Sequence, residues 1–217
     1  LTANFDPANG VIPFPNNLLL LGTTDLTLNI PVADPTDFGD PQVALNALDG
    51  FSTVAPWSAG FSSAVNPASI VPGSSVRVFQ VQLVTGTAAV ASVVRELTPG
   101  VEYVAVPSSV DPDGASIAIL PLRPLQELTA YMAVVTDGIT DTGGNDATPS
   151  QTYFLGKRTS PLVDANGSST DPLLDTATAQ ALEPLRQIIN SQEAAAASMG
   201  IDPSRIILSW TMTTQSI

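Results

Sequence analysis

The chain reads as a mostly β protein: an Ig-like antiparallel β-sandwich with an N-terminal wrapping arm before it and a C-terminal helix plus strand after it. Three observations carry that reading. With 19 prolines and 15 glycines in 217 residues, breaks come too often for long helices, and short apolar runs sit between them. Seven runs of strand length fall within roughly a hundred residues, the rhythm of an Ig-type sandwich. The stretch from Ile117 to Asn145 spells strand, corner, strand and turn.

Residues 1–55 read as the arm. Asn4-Phe5-Asp6-Pro7, Asn9-Gly10 and Pro13-Phe14-Pro15-Asn16-Asn17 are turn chemistry around single aromatic anchors. Leu26 to Ile30 alternates as a half-buried strand should. Asp40-Pro41 pairs a capping aspartate with a proline at the first helical position, and predicts a short helix to about Leu48, ended by Asp49-Gly50.

Residues 56–157 carry the sandwich. Strands are expected at Gly60–Val65, Ser75–Val84, Ala88–Leu97, Val101–Val106, Ser116–Leu120, Ala130–Thr136 and Thr152–Gly156. Prolines such as Pro121 and Pro124 end strands because they cannot donate to the ladder. The apolar positions of Val76–Val84 change parity near Phe79, which predicts a bulge or two buried faces. Leu125 and Tyr131 stand six residues apart around the corner, a spacing that suits a tyrosine returning its hydroxyl to upstream backbone. Leu97 and Tyr103 repeat the spacing without matching flanks, and read as a coincidence.

Residues 158–217 read as linker, helix and strand. Thr176–Met199 is rich in alanine, glutamine and leucine, with Leu182, Leu185 and Ile189 on one face. Pro184 predicts a kink or a restart, and Gly200 the end. Arg205–Met212 is the last strand, and its abrupt stop at Ile217 suggests a cut inside a longer protein.

The composition excludes more chemistry than it offers. Twenty acidic residues face seven basic ones, a net charge of −13, which repels phosphate backbones and anionic head groups. Cysteine and histidine are both absent, so this chain holds no thiol nucleophile, no Ser-His-Asp triad and no histidine-ligated metal. No Gly-Xaa-Ser-Xaa-Gly elbow occurs; Ser62, in Gly60-Phe61-Ser62-Ser63-Ala64, only imitates one. No catalytic, cofactor-binding or metal-binding residue is therefore assigned. Two acidic turns, Asp111–Gly114 and Asp137–Asp146, have oxygen ligands of the kind calcium takes but lack the EF-hand spacing. They read as turns whose carboxylates bond their own backbone.

Several segments together resemble a known family. Phe5-Asp6-Pro7, Ile12-Pro13-Phe14-Pro15-Asn16, Thr27-Leu28-Asn29-Ile30-Pro31, Ala44 to Thr53, Pro121-Leu122-Arg123-Pro124-Leu125 through Asp141, and Thr213-Thr214-Gln215-Ser216 are similar to the N-terminal region of the Pla-1/cef family of bacterial extracellular lipases, also described as bacterial virulence-factor lipases. The resemblance implies a secreted or surface-attached lipase or lysophospholipase. Its α/β-hydrolase domain would lie beyond Ile217 and be this module's partner, so no catalytic residue carries over. Trp210 and its strand are the expected contact with that domain. The Ig-like pattern alone would equally suit an adhesion or spacer module of a surface protein, or a binding domain for lipid or carbohydrate.

Overall fold

The computed structural model describes residues 1–22, 27, 32–46 and 48–217. Two antiparallel sheets face each other. One has three strands in the order β1 (Trp57–Gly60), β5 (Ser116–Pro121), β4 (Tyr103–Pro107). The other has four, in the order β3 (Val90–Glu96), β2 (Val76–Leu83), β6 (Ala130–Thr136), β7 (Ile206–Thr213). The strand expected at Leu26–Ile30 lies, Thr27 apart, outside the described residues.

Side-chain alternation and register decide what each face meets. Ala133 stands opposite Trp210 and Tyr131 opposite Met212, so these four share a face. That face meets β1: the rings of Trp57 and Trp210 lie 6.4 Å apart, as do those of Trp57 and Tyr131. On the other face, Val134 stands opposite Ser209 and Met132 opposite Thr211. Helices α2 (Gln151–Gly156) and α3 (Thr176–Ser198) pack over it. Sheet, sheet and helix pair thus make three layers. Strands β6 and β7 are buried on both faces almost throughout, which is why they read as continuous apolar runs with no alternation.

The arm runs along the outer edge of β1 and then reaches β7. Phe14 and Ser58 exchange both backbone hydrogen bonds, at 3.0 and 2.7 Å. Ala3 donates to Thr148, and Thr148 donates back to Leu1, both at 2.9 Å. Phe51 donates to Thr213 and accepts from Gln215, each at 2.8 Å. Gly50 fits there because it has no side chain: a Cβ would stand 2.6 Å from the backbone of Thr214 and Gln215. Helix α1 (Pro41–Leu45) starts as expected, with the Asp40 carboxylate accepting from Gln42 N–H.

Four details answer the sequence. The parity change near Phe79 corresponds to a slip in the β2–β3 ladder between Gln80 and Val81. Pro184 leaves α3 as one continuous helix. Thr152–Gly156, expected as a strand, is helical. Its apolar composition gave no period, while the Ser150 hydroxyl caps the turn by accepting from Tyr153 N–H. The sandwich's seventh strand is instead β7, which closes the four-stranded sheet beside β6.

Candidate functional site

The corner forms as the residues dictate. Tyr131 is buried, and its hydroxyl accepts from the backbone N–H of Gln126 at 3.1 Å. The Tyr103 hydroxyl does comparable work: it donates to the Val76 carbonyl and accepts from Gly73 N–H, both at 3.0 Å. The two differ in reach: Tyr131 returns to backbone five residues upstream, whereas Tyr103 ties the start of β2, 27 and 30 residues away. Burial pushes the Tyr103 phenol up to about 12.

The acidic turns aim their carboxylates inward. Asp141 accepts from Gly143 N–H, Asn145 N–H and the Asn145 side-chain amide at 2.8–2.9 Å. Those bonds, the Asn145 amide first, lower its pKa. Asp137 is bound by Arg205 Nη2 at 2.8 Å. Asp111 accepts from Asp113 N–H at 3.0 Å. Among the described residues, no three acidic groups converge as metal ligands would.

Where α2, α3 and β7 meet, the structure holds a polar cluster that the sequence did not announce. Tyr153, completely buried, places its hydroxyl 2.7 Å from Ser209 Oγ and 3.3 Å from Glu193 Oε1. Ser209 donates onward to Gln192 at 2.8 Å. Lys157 Nζ stands 3.3 Å from Glu193 and also donates to the carbonyls of Pro203 and Ile206. Burial raises the Glu193 pKa; Lys157 works against that rise. Serine, tyrosine and lysine sit together here, as in some nucleophilic sites. Ser209 is only 2% exposed, and the cluster joins α2, α3 and β7 beneath the surface. Its work is to seat the helix pair on the sheet.

An open groove of about 620 Å³ lies beside this cluster. The arm forms one wall through Pro7, Ala8, Leu18 and Leu21, and α2 and α3 form the other through Leu155, Leu182 and Leu185. Of the expected face, Leu182 and Leu185 are only half-buried while Ile189 is buried; Ala179, Arg186 and Glu193 are buried as well, Arg186 against the carbonyls of Arg158 and Thr159.

Trp210 is not available to an outside partner. It is 2% exposed, packed on Trp57 within the sandwich. The expectation that it contacts a further domain fails because the three-stranded sheet already covers it.

Residues 8–217 match the family described as bacterial virulence factor lipase N-terminal. The chain belongs to that family. No curated protein matches it. Among solved structures it is similar to the S-layer protein SbsC in two determinations. Identity is 16% in each, with TM-scores of 0.29 and 0.28, covering 44% of this chain and 11% of that one. This virulence factor lipase N-terminal domain thus spans about a tenth of the S-layer chain it matches. No histidine occurs in the chain. Among the described residues, no helix is long and apolar enough to cross a membrane.

Proposed function

We propose that this domain is the non-catalytic N-terminal part of a secreted or surface-attached bacterial lipase or lysophospholipase. In this reading it positions or shields an α/β-hydrolase domain of the same polypeptide, and the protein works as a monomer. The observation that carries the reading is the family match over residues 8–217 in a chain without histidine or cysteine. Ester hydrolysis at neutral pH needs an activated nucleophile, a base and oxyanion donors. The serine set beside a tyrosine, a glutamate and a lysine, Ser209, is buried. A docking surface is supported by apolar side chains left in solvent near the β7 end: Phe14, against Phe51, and Leu128, whose N–H meets the Gln215 carbonyl.

The test assays this domain and its full-length parent on a short-chain nitrophenyl ester and on a lysophospholipid. Only the parent is expected to turn over. Turnover by the isolated domain, lost on mutating one of its own residues, overturns the non-catalytic reading. An inert parent removes the lipase assignment and leaves the adhesion or spacer module in its place.

A further inference from the structure

We propose that the groove between the arm and the α2/α3 pair binds a single acyl chain carried on an uncharged, hydroxyl-bearing head group. This goes beyond the role assigned above, and it stands on this domain's own residues.

Size and lining fix the first half. The groove holds about 620 Å³, within the roughly 300–1,000 Å³ typical of small-molecule sites. Leucines line it from both sides: Leu18 and Leu21 from the arm, Leu155, Leu174, Leu182 and Leu185 from the helical side. It is concave, where surfaces that bind folded proteins are broad and flat. An extended alkyl chain fills such a channel and releases water from both surfaces.

Charge and hydrogen bonding fix the second half. Asp6 is the one charged residue among the described lining residues; no lysine or arginine is there. A carboxylate or phosphate head would meet the Asp6 charge and a domain of net charge −13, with no cation to offset them. The wall offers acceptors instead. The Asp6 carboxylate suits a hydroxyl donor, and Gln151, Thr152 and Thr178 add polar side chains to the lining. A smaller cavity of about 10 Å³ shares Leu18, Leu185 and Ile188 with the groove and is also lined by Asn16. Asn16 is 2% exposed, and its side-chain nitrogen has no partner. That cavity, about one water in size and lined also by Ser209, lies beneath the groove and takes no part in holding the ligand.

The experiment is equilibrium dialysis of this domain against 1-monolauroylglycerol below its micelle concentration, with laurate as the charged comparison. Saturable one-to-one binding is expected, with laurate at least tenfold weaker. Ala181→Phe fills the groove from α3, and Ala8→Phe fills it from the arm; both positions are exposed lining residues, so folding should survive. Each is expected to weaken monolauroylglycerol binding at least tenfold while the ligand-free melting temperature holds. If one melts early, the other still decides. No saturable binding, or unchanged binding in the folded variant, overturns the site. Equal binding of laurate overturns the head-group assignment. A dimer at micromolar concentration that the lipid does not compete with shows a second copy in the groove, and overturns the ligand reading as well.

Discussion

Tyr153→Phe tests whether the buried cluster seats the helices through its hydroxyl or only through its ring. The phenol has one proton, and Ser209 already spends its own on Gln192. The Tyr153 proton therefore goes to Ser209 at 2.7 Å, with Glu193 at 3.3 Å as the alternative acceptor. Removing the oxygen deletes one good buried bond. It orphans no charge, since Glu193 keeps Lys157 and Ser209 keeps Gln192. A net loss of about 1–2 kcal/mol follows for a bond of this kind. At roughly 2–4 °C per kcal/mol for a domain of this size, the melting temperature should fall by roughly 2–8 °C. Tyr153→Ala also removes the ring that meets Phe5 edge-on at 5.6 Å, and should cost about 3–5 kcal/mol, as other aromatic truncations in cores do. Urea unfolding followed by tryptophan fluorescence reads both variants, with the slope expected to stay that of the parent. A Phe variant as stable as the parent, or one as damaged as the Ala variant, would refute the assignment of work to the hydroxyl.

Calcium and a chelator should leave the melting midpoint equal, because Asp141 and Asp111 spend their oxygens on local N–H groups; a saturable rise of several degrees would show a site. Gly50→Ala should destabilise by about 2 kcal/mol or more, since backbone cannot yield as a side chain can; differential scanning calorimetry checks it. Glu102 and Glu183 are held down to about 2, Glu102 first by Arg95 and Glu183 first by Arg186. A depressed folded-state pKa gives stability that is complete above the unfolded value near 4.5 and lost as pH falls towards 2. Acid unfolding should begin in that window and move to higher pH in Glu183→Gln. Glu193 acts in the opposite sense: its raised pKa means that stability falls as pH rises from about 4.5 through the folded value.

Period and punctuation made much of the sandwich legible. Prolines and glycines bracket the strand runs less clearly than the corner does, yet β2 to β6 each formed within a few residues of the expected place. The reading failed where residue type and local capping disagreed. Thr152–Gly156 has strand-like aromatics, but Ser150 caps it as a helix and Tyr153 finds its partners across α3. The same limit hid the candidate sites. Pairing Tyr153 and Lys157 with Glu193 and Ser209 depends on helix packing that no local pattern encodes. Leu182 and Leu185 looked like core because periodicity shows that a face is apolar, not what covers it. Trp210 was misplaced for a related reason: its partner Trp57 lies far away in sequence, on the opposite sheet.

The position of β7 in the sheet has a consequence for how the domain comes into being. Strand β6 can pair with β2 as soon as both exist, but its other edge stays bare until Ile206–Thr213 arrive. The same strand supplies Trp210 to the inner core, Ser209 to the helix contact and Thr213 to the Phe51 clasp of the arm. A chain emerging from the ribosome therefore remains an open meander until Ile206–Thr213 are made, and then closes on all three sides together. Pairings so distant in sequence fold slowly, and a product terminated ahead of Ile206 would carry an unpaired, wholly apolar edge with every tendency to aggregate.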